Sequence, residues 1–300
     1  MTERAFHGPD PRDGRVYVMP AGLALAVRVA LATDRPLLLS GEPGSGKSSL
    51  APFYAREQGL RYYEHVVTSR TRATDLLWTF DSVRRLADAQ ARRVRLNDAH
   101  YVRPGVLWRS LAPDSARRRG VPTRPPEGQN PQGAGGAVVL IDEIDKADPD
   151  VPNSLLVPLG SQEFTVAETD TTISREPGVD RHLIVITTNG ERELPQAFLR
   201  RCVMFRLPEP EAESLVRIAE LHLEYEGVDL DAPTWELVRM LAAELVQARR
   251  DQDARRGRFP STAEYLDAVR ACRELGIRPG DEDWDLVRGL TMAKPSQRER

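Results

Sequence analysis

Apolar residues along this 300-residue chain follow two different patterns, and the change comes near residue 208. Before it, they gather in short continuous runs: PLLLS (36–40), RYYEHVV (61–67), AVVLIDEID (137–145), HLIVITTN (182–189) and VMFRL (203–207). Runs written largely in Val, Ile and Leu, with helical stretches between them, encode strands that are buried on both faces. They predict a parallel sheet covered by helices on each side, an α/β architecture. Helical spacing appears in AGLALAVRVALA (21–32), in LAPFYAREQG ending on Gly59, and in ATDLLWTFDSVRRLADAQARR (73–93). HYVRPGVLWRSLA follows as a mixed segment with a turn near Pro104-Gly105. Residues 113–136 lack any period and are dominated by Pro, Gly and Arg, which predicts a flexible surface insertion.

After PEPE (208–211) the strand-like runs stop. Apolar residues at 237, 238, 241, 242, 245 and 246 mark one face of a helix. A further helix in FPSTAEYLDAVRACREL carries its own start signal, because Ser261 and Glu264 have capping-box spacing. The expected organisation is a flexible tail over 1–15, an α/β domain over 16–208, a helical domain over 209–290 and a flexible tail over 291–300.

Composition narrows the class only slightly. Forty per cent apolar and 29% charged residues suit a soluble globular protein, and a net charge of −3 gives no global reason to expect an anionic partner. Two cysteines, Cys202 and Cys272, exclude a disulfide framework and fit a reducing cytoplasm, where both are expected to be buried packing thiols. The apolar stretch at 21–32 is too short to span a bilayer and is interrupted by Arg28, so no membrane insertion is expected.

The first strand run stops at Gly41-Glu42-Pro43-Gly44-Ser45-Gly46-Lys47-Ser48, followed by Ser49. This is the G-x-x-x-x-G-K-[ST] pattern between a strand and a helix, the context the motif demands. The glycines let consecutive N–H groups converge on phosphate oxygens, and the following helix adds its positive end. Lys47 can reach the β- and γ-phosphates and Ser48 can ligate Mg²⁺. Asp142 and Glu143 close a second apolar run. Asp142 is placed to complete an Mg²⁺ site with Ser48, and Glu143 to polarise a water for attack on the γ-phosphate. Asn189 closes a third run, where an amide can orient that water without adding charge; a turn-forming Asn before Gly190 is the plainer alternative.

In this order, GEPGSGKS, LIDEIDKAD, TTN and LPQAFLRRC resemble the Walker A, Walker B, sensor 1 and arginine-finger segments of AAA+ ATPases. Finer segments, among them TDLLWTFD, VRPGVLWRSL and TTNGERELPQAFLRRC, are similar to the MoxR branch, and the resemblance covers roughly residues 16–275. It implies a P-loop NTPase sheet of strand order 5-1-4-3-2 with a C-terminal helical lid. It also implies ATP and Mg²⁺ as cofactors, homo-oligomeric rings, commonly hexamers, and hydrolysis used to remodel a protein client. Relatives in that branch often act with partners carrying a von Willebrand factor A domain. One departure stands out: FPSTAEYL has no arginine where many AAA+ proteins carry a second sensor at the start of a lid helix.

Two adjacent arginines, Arg200 and Arg201, precede the last strand run. The chain already supplies Lys47 to its own phosphate site, so the anion they address is expected on a neighbour in a ring with heterologous interfaces. By resemblance, Arg201 is the finger and Arg200 a supporting interface residue or a salt-bridge partner; two surface arginines at a helix C-terminus are the alternative. Between 84 and 124, eleven arginines face three acids, which supports a competing expectation of an AAA+ protein acting on nucleic acid. A solvated basic face is the plainer account of that segment. A non-hydrolysing nucleotide-dependent scaffold and a small-molecule kinase are the remaining alternatives.

Overall fold

The computed structural model describes residues 13–91, 97–119, 135–252 and 260–292. They form two compact units, one made of 21–40 and 50–206, the other of 13–20, 41–49 and 207 onward.

The first unit is built on a parallel sheet. Helix α1 (Leu23–Thr33) leads into β1 (Leu37–Ser40); α2 (Leu50–Glu57) precedes β2 (Arg61–Val66); α3 (Val106–Leu111) precedes β3 (Gly136–Asp142). Strand β4 (Arg181–Thr188), the one-turn helix α4 (Gln196–Leu199) and β5 (Val203–Arg206) complete it. The spatial order is β5-β1-β4-β3-β2 with every pair parallel, which is the expected order. All seven residues of β3 are buried, as are all but the first of β4, so the Val/Ile/Leu runs do mark the interior strands. On one face Leu38, Val139, Ile141, Ile184 and Ile186 share a core with Trp108, Phe164 and Phe198. Their alternates Leu37, Leu39, Val138, Leu140, Leu183 and Val185 are equally buried on the opposite face.

Two expectations are corrected, and one hairpin is added. The stretch 73–93 is not one helix, because Trp78–Phe80 is a strand between helices Ala73–Leu77 and Ser82–Gln90. It pairs antiparallel with Val102–Pro104, and its Trp78 stacks on Phe164 at 5.8 Å, so tertiary packing overrides the helical spacing. Phe164 itself lies in a hairpin, Glu163–Val166 with Thr171–Ser174, that no apolar run announced. The start of the supposed insertion is ordered: Pro113–Arg118 is a helix with Pro at its first turn and buried Ala116, while 120–134 lie outside the described residues. Its free N–H groups are satisfied from a distance, since Asp114 N and Ser115 N donate to the carboxylate of Glu176 at 2.9 Å each.

Among the described residues the second unit contains four helices: α5 (Ala212–Tyr225), α6 (Ala232–Gln252), α7 (Thr262–Leu275) and α8 (Trp284–Thr291). Leu237, Val238, Leu241, Ala242 and Leu245 of α6 point into their common core, with Tyr265 and Cys272 of α7. The capping box at α7 is present, and Gly276 ends that helix in the left-handed region at φ 68°. The expected tail over 1–15 is tied down at its end: the Tyr225 hydroxyl donates to Asp13 at 2.8 Å and Arg15 sits over the Tyr225 ring. Residues 1–12 and 293–300 lie outside the described residues, as do 92–96 and 253–259. Both cysteines are buried and unpaired, and burial pushes the Cys202 thiol up to about 12. Among the described residues no helix is long and apolar enough to cross a membrane.

His182 is fully enclosed in β4 beside the Ser110 hydroxyl at 2.9 Å, and burial lowers its pKa to about 3. The folded state holds it neutral while the unfolded chain takes up a proton below about pH 6.5. Its stabilising contribution is therefore complete above that pH and is lost as the pH falls toward 3, at up to about 1.4 kcal/mol per pH unit. Denaturant midpoints measured from pH 7.5 to 5 should fall more steeply for the native chain than for His182→Gln.

Candidate functional site

The glycine-rich loop belongs to the second unit and follows Ser40 of β1 in the chain. Gly44 and Gly46 take φ of 74° and 86°, which L side chains rarely adopt. Gly44 is required twice, because a Cβ there would lie 2.7 Å from Ser261 at the start of α7. Lys47 is buried at 6% exposure, and its ammonium donates to the carbonyls of Gly41 and Glu42 at 2.8 Å each. Helix α2 begins only at Leu50, so Lys47, Ser48 and Ser49 form a turn ahead of it instead of its first residues. Within the same unit, Glu42, Pro43 and Ser45 line a cleft of about 120 Å³ with Glu209, Pro210, Arg249 and the residues 260–262. The Ser45 and Thr262 hydroxyls are buried there without hydrogen-bond partners. Arg249 is held by Glu209 at 3.4 Å and donates to Pro210 O at 3.1 Å; burial lowers its pKa and the two neighbouring glutamates, Glu209 and Glu211, oppose that shift.

The acidic cluster belongs to the first unit, at the carboxyl ends of β3 and β4. Asp142 is 2% exposed and accepts the Thr187 hydroxyl at 2.6 Å. The same hydroxyl accepts Glu143 N at 2.8 Å, so one oxygen ties Asp142 at the end of β3 and Glu143 just after it to β4. Glu143 has φ 61° and ψ 50°, a left-handed conformation in a residue with a Cβ. Such a backbone costs on the order of 1–3 kcal/mol and persists where its surroundings over-determine it. Here the Thr187 bond is one constraint, and the one-turn helix Ile144–Lys146 that begins at Glu143 is another. The Glu143 carboxylate lies between the Lys146 ammonium at 2.6 Å and the Asn189 amide at 3.3 Å. Lys146 is held above its usual pKa range chiefly by that hydrogen bond. Asp145, also 2% exposed, accepts Asn189 N at 3.2 Å and Glu191 N at 2.9 Å, which pins the loop that carries Asn189.

Thus Asp142, Glu143 and Asn189, chosen from the ends of separate apolar runs, converge on one hydrogen-bonded group. Arg200 and Arg201 stand apart from it, exposed at the end of α4, where Arg201 Nη1 donates to Ala197 O at 3.4 Å. Thr187, Asp145 and Lys146 were not singled out from the sequence. The only signal for them was adjacency, in TTN and DEIDK, to residues that were.

In each unit the residues present have the chemistry that a nucleoside triphosphate with Mg²⁺ requires. In the loop, the Ser48 hydroxyl is a hard oxygen donor of the kind Mg²⁺ selects, and the buried Ser45 hydroxyl lacks a partner that a polar ligand could supply; in the first unit, Asp142 offers a carboxylate oxygen of the same hard kind.

Residues 36–202 match the family model described as AAA domain (dynein-related subfamily). No curated protein matches the chain in sequence. Among solved structures, a Cytophaga hutchinsonii protein proposed to be an ATPase aligns at 16% identity over 95% of this chain and 84% of that one, with a TM-score of 0.42. A single-residue variant of Thermotoga maritima RuvB aligns at 16% identity over 89% and 66% with a TM-score of 0.49. Domain III of the Thermotoga maritima replication initiation protein DnaA aligns at 17% identity over 97% and 100% with a TM-score of 0.47. All three scores lie below 0.5, so the assignment rests on the sequence match. Because that match takes in more than half of the chain, from the residue before β1 to the cysteine after the arginine pair, this protein belongs to the AAA+ ATPase family, in its dynein-related subfamily.

Proposed function

We propose that the chain is an ATP-hydrolysing, Mg²⁺-dependent AAA+ enzyme of MoxR-like type that works in the cytoplasm as a ring, a hexamer by family resemblance, and remodels a protein client. The observation that supports it most is the fixing of Glu143: a strained carboxylate residue, clamped by Thr187 through its backbone and by Asn189 and Lys146 through its side chain. Residues 16–208 would form the nucleotide-binding domain and 209–290 its lid, with a von Willebrand factor A domain protein as a candidate partner.

Each role follows from chemistry. The N–H groups of the 41–49 loop and Lys47 bind the phosphates, and Ser48 and Asp142 hold Mg²⁺. Bound Mg²⁺ supplies charge neutralisation at the phosphate oxygens. Glu143 takes the proton of the attacking water, and Asn189 orients Glu143 and that water. Arg201 of an adjacent subunit offsets charge that develops on the phosphoryl oxygens, with Arg200 beside it at the interface.

The nucleic-acid alternative draws less support from the arginines of 84–124 than their number suggests. Arg85 pairs with Asp98 at 2.5 Å, Arg103 with Asp81 at 3.1 Å and Arg117 with Asp114. Arg109 and Arg119 lie over the rings of Tyr63 and Trp108. A salt titration of DNA or RNA binding should show no steep slope; a slope of several phosphate contacts would favour that alternative.

Glu143→Gln should lower ATP turnover about 10²- to 10⁴-fold while nucleotide binding persists, and Arg201→Ala about 10³- to 10⁵-fold. Turnover per subunit should collapse on dilution to the monomer, as followed by sedimentation. Turnover that stayed constant through that dilution would sink the shared-site proposal. Thr187→Val should cost about 10- to 100-fold in kcat, whereas Thr187→Ser, which keeps the hydroxyl, should retain activity.

A further inference from the structure

The arginine pair sits on very little structure of its own. Helix α4 spans only Gln196–Leu199, and a single turn is unstable alone because nucleation fixes several dihedrals for one hydrogen bond. Phe198, 1% exposed, anchors its inner side. The outer end, where Arg200 and Arg201 leave the helix, is held from elsewhere. The guanidinium of Arg35 donates through Nη2 to Arg200 O at 2.5 Å and to Cys202 O at 2.8 Å, and through Nε to Arg201 O at 3.1 Å.

Three consecutive carbonyls thus share one side chain that lies about 165 residues earlier in the chain. Arg35 is placed for this by its own neighbours. It follows Asp34, whose left-handed backbone at φ 50° ends α1 and whose carboxylate is held by Arg175 at 3.0 Å. It precedes Pro36, whose carbonyl accepts Val203 N at 2.8 Å and starts the β1–β5 pairing. The clamp therefore joins the start of β1 to the segment that carries Arg200 and Arg201.

From this geometry we infer that Arg35 is a positioning residue for the Arg200–Arg201 pair, acting in hydrolysis at the neighbouring subunit's site; the inference rests on the trans-acting arginine proposed above. Fixing the peptide planes of 200, 201 and 202 fixes the directions in which the two side chains leave the backbone. A cation also suits the carbonyl end of a helix. The planar fork of arginine matches several acceptors at once, which a lysine ammonium at the end of a flexible stem does not. A displacement of about 1 Å at a catalytic group can cost about 10²-fold in rate, so a clamp on the backbone that carries the arginines controls the chemistry without touching the substrate.

The test is subunit mixing with thermal stability followed in parallel. Arg35→Gln and Arg35→Lys should each lower kcat about 10- to 100-fold with the ATP dissociation constant unchanged. Lys47→Ala subunits lack their own phosphate site but carry an intact arginine pair. Mixing them with Arg35→Gln should restore turnover, as it should with Arg201→Ala, whereas Arg35→Gln mixed with Arg201→Ala should restore none. Full turnover by both Arg35 variants, alongside an inactive Arg201→Ala, overturns the inference and leaves the trans-acting arginine standing. Full turnover by both Arg200→Ala and Arg201→Ala overturns the trans-acting arginine itself. Failure of Lys47→Ala to rescue Arg35→Gln, while it rescues Arg201→Ala, overturns the inference by showing that Arg35 acts on its own subunit.

Discussion

The acidic group of the candidate site depends on parallel pairing of β3 between β2 and β4. The register sets Val66 beside Asp142 and Ile141 beside Ile186, so β3 is hydrogen-bonded along both edges and buried on both faces. A strand so enclosed has no room for charge within it, and its polar residues are confined to the carboxyl end. β4 is likewise apolar across its middle, from Leu183 to Ile186, with Arg181 and His182 at its amino end and Thr187 and Thr188 at its carboxyl end. In a parallel sheet these ends fall on one edge, which is where the crevices of such folds lie. The concentration of Asp142, Glu143 and Asn189 is thus a consequence of where an interior strand can tolerate polarity.

Within that edge, Thr187 does what proximity alone would not. Two carboxylate residues in succession at a buried strand end repel one another and leave orphan donors in the turn. One hydroxyl, accepting from Glu143 N and donating to Asp142, satisfies one of each and locks the strand end to its neighbour. A valine of the same shape would remove both bonds and keep the packing. The side chain of Glu143 is then free to be placed by a different set of groups, Lys146 and Asn189, while its backbone is held in a region that would otherwise relax.

These relations explain what could be read from the residues alone. The interior strands were legible because burial on both faces leaves only apolar choices, and the glycine-rich loop because its φ values admit few residues. The α7 capping box was legible because its two partners lie three positions apart. The strand Trp78–Phe80 was not, since three residues carry too little period to oppose the helical spacing on either side, and its reason to be extended lies in Phe164. Thr187 and Arg35 were opaque for the same reason at longer range. Their partners are 45 and about 165 positions away, and no local pattern reports a bond between such residues.

The absence of an arginine at the start of α7 takes on a physical sense within the second unit. Ser261 caps the helix through Glu264 N at 3.2 Å, and its own N–H is held by the Glu264 carboxylate at 2.7 Å. That reciprocal pair brings the Ser261 side chain against Gly44, so the cap must be small and the loop residue must lack a Cβ. A long cation at 261 would lose the cap and meet the loop backbone. A guanidinium reaches this cleft from α6 instead: Arg249 lines it with Glu42 and Ser45 and is held by Glu209 and by the carbonyl of Pro210. One constraint, close approach of a helix cap to a glycine, accounts for the small residue at 261, while the guanidinium lies on another helix.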